Sequence, residues 1–224
     1  GLVFNDREGV WIEIEGERAA LDRFLPNLIA APPTGSRIDG IEARAIAPRA
    51  ESGFRIAPSP AGAIGTRTAA IPADLAPCDD CLRELAAPHD RRFRYPFINC
   101  TACGPRFTIV REVPYDRPKT TMCVFAMCDA CSGEYQDPAN RRFHAVPNAC
   151  PACGPCVQLV GRDGRILHEG DAAVRAAAAA IGDGAIVAIK GAGGFVLATN
   201  ATLQQAVERL RERKRRPHKP FAVM

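Results

Sequence analysis

Four CxxC pairs supply most of the reactive chemistry in this chain: Cys78-Asp79-Asp80-Cys81, Cys100-Thr101-Ala102-Cys103, Cys128-Asp129-Ala130-Cys131 and Cys150-Pro151-Ala152-Cys153. Within each half eighteen residues separate the two pairs, and the second half repeats the first fifty residues later. The offset carries more than sulfur. Pro88 returns as Pro138, Arg91-Arg92-Phe93 as Arg141-Arg142-Phe143, and Cys103-Gly104-Pro105 as Cys153-Gly154-Pro155. A register shared by several residue types marks a duplicated structural unit. A CxxC turn lets two thiolates grip one ion, and a second turn completes the tetrahedral sulfur site that zinc takes. The spacing predicts two such sites, Cys78/Cys81/Cys100/Cys103 and Cys128/Cys131/Cys150/Cys153. Four cysteine ligands leave no coordination position open, so both ions would be structural and not catalytic. Three other arrangements compete. Disulfides need an oxidising compartment, a thioredoxin-type redox motif uses a single CxxC, and a crossed pairing would share ions between outer and inner pairs. Cys123 and Cys156 stand outside the repeat and read as incidental free thiols.

A chain of 224 residues has room for one or two domains with a sizeable core. Its 47% hydrophobic and 24% charged content are those of a soluble globular protein. A net charge of +4 is too mild to announce nucleic acid. No apolar run is long enough to span a bilayer, and no secretory signal opens the chain. Ten cysteines in that setting point to a reducing cytoplasm with metal-held thiolates. The chain opens on Gly1 and closes on Met224 directly after an apolar Phe-Ala-Val run, which reads as a piece of a longer protein.

The elements before the cysteines follow from periodicity. Residues 10–15 end in apolar/polar alternation, and residues 1–4, across a turn cluster at 5–9, read as the end of an earlier strand, a hairpin pattern. Ala20, Leu21, Phe24, Leu25 and Leu28 recur at helical spacing, so a helix is predicted over 17–30, kinked or shortened at Pro26 and ended by Pro32-Pro33. Residues 38–47 and 54–56 read as two more strands. Residues 58–71 are small and rich in Pro and Gly, the composition of a linker.

Between the cysteine pairs, residues 82–87 form a short helix stopped at Pro88. The strip Arg91-Arg92-Phe93-Arg94-Tyr95-Pro96-Phe97 interleaves cations with aromatics, a composition that could stack on single-stranded nucleic acid. In modules this small, however, aromatics more often fill a core that a metal must help complete. His89 and His144 read as bystanders, since each site already has four thiolates.

After the cysteines, residues 157–160 and 165–167 flank a Gly-Arg-Asp-Gly turn and predict a hairpin. Asp171 is a candidate N-cap for a helix over 172–181, and residues 185–190 read as a strand of the buried kind. Gly191-Ala192-Gly193-Gly194 then allows a sharp turn or a close approach of backbone to ligand, although the cluster fits neither the Walker A nor the dinucleotide spacing. Asn200 or Thr202 starts a helix over 203–213, whose end carries the densest charge on the chain, Arg211-Glu212-Arg213-Lys214-Arg215-Arg216-Pro217-His218-Lys219. Such a run is a solvated face, a complement to the helix dipole, or a phosphate-binding element.

Three stretches carry family resemblances. Residues 1–16, Leu-Val-Phe-Asn-Asp-Arg-Glu-Gly-Val-Trp-Ile-Glu-Ile-Glu-Gly after Gly1, resemble the second half of an acylphosphatase domain, a ferredoxin-like sheet with two helices on one face. The resemblance implies that Asn5 orients the water attacking an acyl phosphate. The family's phosphate-cradling Arg lies on the missing N-terminal side, so this stretch alone is expected to be inactive; on turn chemistry alone Asn5 is a turn residue. The cysteine region, with its Cys-Gly-Pro ends and Arg-Phe flanks, resembles the zinc-finger region of HypF, the carbamoyltransferase of [NiFe]-hydrogenase maturation. Residues 188–198 and 210–224 resemble the opening of a YrdC-like domain. There a Lys-x-Arg-Pro element binds ATP phosphates, which implies that role for Lys214, Arg216 and Lys219, with Lys190, Gly193 and Gly194 lining the same cleft. The sequence departs from that family near Val196 and Thr199-Asn200.

The expected fold is therefore α+β and multidomain. It comprises a partial ferredoxin-like acylphosphatase domain (1–57), a linker (58–71), a tandem four-cysteine zinc-finger module (72–156) and the N-terminal part of an α/β YrdC-like domain (157–224). The implied activity belongs to the longer parent, with this piece inactive alone. Carbamoyl phosphate and ATP yield carbamoyl-adenylate, and the carbamoyl group passes to the C-terminal Cys of a HypE-like protein. Two zinc ions are structural, and neither membrane nor nucleic acid is an expected partner. The rival reading is a zinc-finger module that binds nucleic acid or protein.

Overall fold

The computed structural model describes residues 1–5, 9–32, 36, 38–50, 52–58, 71–113 and 115–224. Strands β1 (Leu2–Asn5) and β2 (Val10–Glu13) form the predicted hairpin, with Leu2 opposite Glu13 and Asn5 opposite Val10. A two-residue strand, β3 (Arg55–Ile56), adds to the other edge of β1 in parallel, giving the order β2-β1-β3. Helix α1 (Arg18–Ala30) runs through Pro26 without stopping. The strand predicted over 38–47 does not form. Both neighbours of β1 are already in place, and side chains hold this segment and the residues just after it instead. Glu15 Oε2 accepts from the backbone N–H groups of Arg49 and Ala50 at 2.8 and 3.2 Å, and Arg44 lies over the Trp11 ring. Residues 59–70, most of the predicted linker, fall outside the described residues.

The cysteine unit is built on two short helices, α2 (Asp79–Ala86) and α3 (Asp129–Gln136), each starting directly after the first cysteine of its half. The chain then leaves each helix through the same device: Arg94 and His144, fifty residues apart, adopt left-handed backbone at φ 57° and 50°. Their N–H groups close onto Leu85 O and Tyr135 O in the last turn of the preceding helix. Between the halves, two 3-10 turns, Arg117–Lys119 and Thr121–Val124, are capped by Asp116 and Thr120. Cys81, Tyr95, Ile98, Cys100, Cys103, Met122 and Ala149 make the buried core, so residues of both halves pack in one body. Gly154 shows how close that packing is. A Cβ there would collide with the Tyr95 hydroxyl and come within 2.5 Å of the Ala149 side chain.

Beyond the cysteines, β4 (Gln158–Val160) and β5 (Ile166–Glu169) pair antiparallel and lead into α4 (Gly170–Gly182). Asp171 is not the N-cap; Glu169 holds that position, and Asp171 sits in the first turn, where it pairs with Arg175 and with Arg94 of the cysteine unit. Strands β6 (Val187–Gly191) and β7 (Gly194–Ala198) form a tight antiparallel hairpin, and helix α5 (Gln204–Lys214) follows. β7 was not expected from the sequence. Nor is β6 buried: Ile189 of β6 and Phe195 and Val196 of β7 are exposed, in a sheet of two strands among the described residues. Asn200 does not cap α5, whose first residues follow Leu203. Its side chain instead makes a local turn, accepting from Thr202, and donates back to Gly182 O at 3.1 Å.

Candidate functional site

The eight repeated cysteines gather into the two sets that the spacing predicts, and the crossed pairing does not occur. Within each set the four sulfurs lie within 4.8 Å of one another. In the first, Cys78–Cys100, Cys100–Cys103 and Cys103–Cys81 are separated by 3.7, 3.7 and 3.5 Å. In the second, Cys128–Cys150, Cys150–Cys153 and Cys153–Cys131 are separated by 3.8, 3.7 and 3.6 Å. These are far from the ~2.05 Å of a disulfide. A tetrahedral ion with metal–sulfur bonds of ~2.3 Å has edges of about 3.8 Å between its sulfurs, so the donor set and the spacing both fit zinc.

Local structure prepares the sulfurs. The Cys128 thiol is drawn down to about 6 by the Cys131 backbone N–H at the start of α3, against the opposing effect of burial. At Cys78 burial pushes the thiol up, but the Cys81 backbone N–H and the Arg141 guanidinium outweigh it and also bring it to about 6. The second cysteine of each helix lies deeper, and burial raises Cys81 and lifts Cys131 to about 12. The first set thus joins one easily ionised thiol, Cys78, to two that burial raises, Cys81 and Cys100, and the second joins Cys128 to the raised Cys131, environments in which a dication supplies the missing charge.

The repeated arginines, whose role the sequence left open, lie across the pseudo-twofold between the halves. Arg141 of the second half donates to Cys81 Sγ at 2.9 Å and reaches Cys78 Sγ at 3.6 Å. Arg91 of the first half donates to Cys131 Sγ at 3.2 Å. Their neighbours are buried beneath them. Arg92 forks onto Glu134 at 3.0 and 2.6 Å, and its Nε donates to Ala149 O at 2.8 Å; Arg142 forks onto Glu84, and its Nε donates to Asn99 O at 3.0 Å. Arg91 and Arg141 share the same two carboxylates. Burial opposes the ionisation of Glu134, yet the Arg92 and Arg91 guanidiniums overcome it and hold its carboxyl down at about 2. Glu84 is lowered for the same reason by Arg142 and Arg141. These arginines are therefore spent on carboxylates and sulfurs inside the protein, and Arg92 and Arg142, almost fully buried, offer nothing to a nucleic-acid backbone. The two glutamates were missed from the sequence. Their signal was present: each sits three residues after the second cysteine of its half, at the fifty-residue offset.

His89 and His144 lie outside both sulfur sets. His144 packs instead against the Tyr135 and Phe143 rings. Asn5 ends β1, exposed, opposite Val10; residues 6–8 of its turn lie outside the described residues.

Lys190 stands on β6 with its ammonium over the Phe195 ring across the hairpin, 5.3 Å from the centroid. Gly193 lies in the two-residue turn of that hairpin, and Gly194 starts β7 at φ 148°, backbone that favours glycine. Lys214, Arg216 and Lys219 lie at the far end of α5, where Arg215 closes the helix in left-handed conformation. Among the described residues, no hydrogen bond or ring contact joins this group to Lys190. Arg211, which the sequence reading did not single out, organises the basic turn. Its Nη1 donates to Arg216 O at 3.2 Å and Lys219 O at 3.0 Å, and its guanidinium lies over Phe221. Arg216 stacks on the same ring, and its Nε is buried without an acceptor among the described residues. The departures noted from sequence serve as staples: Thr199 Oγ1 donates to Ala185 O at 2.9 Å, and Asn200 ties to Gly182 as above.

Among the described residues no helix is long and apolar enough to cross a membrane. The chain matches the family model described as Acylphosphatase over residues 1–56, that described as HypF finger over 78–110 and 127–160, and that described as Telomere recombination over 179–224. It is 49% identical over its whole length to carbamoyltransferase HypF of Synechocystis sp. and 50% identical to probable carbamoyltransferase HypF of Methanocaldococcus jannaschii, covering 29% of each. Among solved structures it resembles full-length HypF in the phosphate- and nucleotide-bound form, with a TM-score of 0.83 and 45% identity over 99% of this chain and 28% of that one. HypF of T. kodakarensis matches with a TM-score of 0.82 and 43% identity, over 98% of this chain and 28% of that one. An acylphosphatase-like part, a duplicated four-cysteine finger and a YrdC-like part, in one order and at about half identity throughout, place the chain in the HypF carbamoyltransferase family, of whose members it spans under a third.

Proposed function

We propose that this chain supplies the acylphosphatase-like part, the metal-braced fingers and the opening of the nucleotide site of a carbamoyltransferase of [NiFe]-hydrogenase maturation. In that reading Asn5 orients water for release of carbamate from carbamoyl phosphate. Lys214, Arg216 and Lys219, with Lys190, Gly193 and Gly194, hold the phosphates of ATP while carbamate is activated as carbamoyl-adenylate. The carbamoyl group then passes to the C-terminal cysteine of a HypE-like partner. The eight cysteines hold two structural zinc ions, which shape the unit between the two reacting ends and take no part in bond making. The chain spans under a third of the length of these relatives, and the reaction is assigned to the longer enzyme. Carbamate is short-lived in water, so a walled route between the two ends favours the sequence of steps.

One observation carries the phosphate assignment. The turn after α5 keeps a buried guanidinium nitrogen, Arg216 Nε, without an acceptor among the described residues, within three residues along the chain of Lys214 and Lys219. A buried cationic donor left unsatisfied is costly, and an anion relieves that cost. A relative 45% identical to this chain is described as phosphate- and nucleotide-bound, which supports a phosphate-binding role within the longer protein. The deciding experiment is carbamoyl-phosphate-dependent ATP–pyrophosphate exchange by the full-length enzyme. Exchange that needs carbamoyl phosphate and falls at least tenfold in a Lys214→Ala/Arg216→Ala variant is the expected result. Exchange absent from the wild type, or unchanged in the variant, overturns the reading.

A further inference from the structure

We infer that the two four-cysteine sites load metal as one cooperative unit, because each site is completed electrostatically by arginines of the other finger. The inference rests on the metal reading of the cysteines and goes beyond it.

Four thiolates around a dication carry a net charge of −2. Holding such a group partly out of water is unfavourable unless donors and opposite charge surround it. Here the compensation comes in trans. The first set receives Arg141 Nη2 on Cys81 at 2.9 Å, and the second receives Arg91 Nη2 on Cys131 at 3.2 Å. The arginines are held in place by the opposite helix. Arg141 and Arg142 lie on Glu84 of α2, whereas Arg91 and Arg92 lie on Glu134 of α3. Each arginine pair precedes the second CxxC turn of its own finger by eight or nine residues, and that turn belongs to its own metal set.

The consequence is a closed circuit. An ion in the first set fixes the turns of the first finger and therefore places Arg91 and Arg92 on Glu134 and Cys131. It thus builds the surroundings that the second ion requires. The second finger returns the effect through Arg141 and Arg142. Links to the backbone of the second finger run the same way, since the Thr101 N–H and hydroxyl donate to Arg141 O and Asn99 Nδ2 donates to Pro147 O at 3.0 Å. A site whose ordering has been supplied by a first ligand binds the second more tightly, by the reciprocity of coupled sites.

The test is a titration of the reduced, metal-free full chain with cobalt(II) under anaerobic conditions. Tetrahedral thiolate absorption is followed, and native mass spectrometry counts ions per chain at one equivalent. Two equal, independent sites leave about half of the chains with a single ion, whereas a coupling factor of about ten, within the usual range for coupled sites, leaves about a quarter. The expected result is a single-ion fraction of a quarter or less. A fraction of one half or more overturns the coupling while leaving the metal sites intact. Absence of the cobalt–thiolate bands overturns the metal reading itself, so the two failures are distinct. Arg91→Gln/Arg141→Gln keeps all eight cysteines and is expected to return the single-ion fraction to about half; cooperativity that persists in this variant overturns the assignment to the arginines. The wild-type distribution decides the coupling even if that variant does not fold.

Discussion

Glu134 shows how little of this protein's stability rests on its exposed charges. Its carboxylate takes two guanidiniums, one of them on a side chain only 2% exposed. Exposed ion pairs such as Arg18–Asp22 are worth a few tenths of a kcal/mol, but removing one partner of a buried pair leaves the other charge uncompensated. Glu134→Gln is therefore expected to destabilise the metal-loaded chain by about 3 kcal/mol. That is the low end of the range for buried pairs, because Ala149 O and Asn148 Oδ1 still accept from Arg92. The pH dependence has a definite sign. The folded carboxyl is depressed to about 2, below an unfolded value of ~4.3. Its stabilisation is thus complete above the unfolded value and is lost only as the pH falls towards 2. Denaturant midpoints for wild type and variant should differ by a constant amount between pH 5.5 and 8. A difference that shrinks steadily across that window would mean that the carboxylate is not held by the arginines.

At the scale of elements, the sequence exposed what depends on neighbours along the chain and concealed what depends on partners across it. The CxxC knuckles, α1 and the first hairpin were legible because their signals are local: a fixed ligand spacing, a 3.6-residue period and an alternation around a turn. The strand expected over 38–47 is apolar enough, but β1 already has both neighbours, and side-chain contacts are made instead, with Arg44 over Trp11 and Glu15 on the amides of Arg49 and Ala50 just beyond. β7 was overlooked because Gly191 to Gly194 suggested a ligand loop, whereas the chain uses the glycines to reverse within two residues. The arginine pairs were visible as part of the repeat, but their destinations, about forty to sixty residues away, were not. Arg211 belongs to the same class. It lies inside α5 and reads as one more solvated cation, yet the turn 216–219 is wrapped around its guanidinium. Lysine would keep the charge but lose both the planar fork and the stacking on Phe221. Arg211→Lys in the full-length enzyme is accordingly expected to weaken nucleotide binding about tenfold by calorimetry, roughly 1.4 kcal/mol, with the helix content unchanged by circular dichroism. Unaltered affinity would show that the turn holds its shape without Arg211.

For the whole molecule, the distribution of buried residues sets how damage spreads. In the finger unit, three of the seven residues of the buried core are cysteines of the first set, and much of the rest is closed by the crossed arginines. A core this small depends on its metals to stay ordered. The region after it depends on different contacts: α4 packs on β4, β5 and β6, and α5 keeps Ala206 and Leu210 buried. Between the two regions stands the Arg94–Asp171 pair at 3.6 Å, with both side chains nearly half exposed, a contact too weak to transmit unfolding. Chelating the metals should therefore act locally. Hydrogen exchange of the full chain, compared before and after treatment with a high-affinity zinc chelator, is expected to show protection lost across 78–156, including α2 and α3. The amides of α4 and α5 should keep theirs. Parallel loss of protection in α4 would mean that the fingers support the nucleotide-side region directly. Its retention would leave the metals with the narrower task of fixing the fingers themselves.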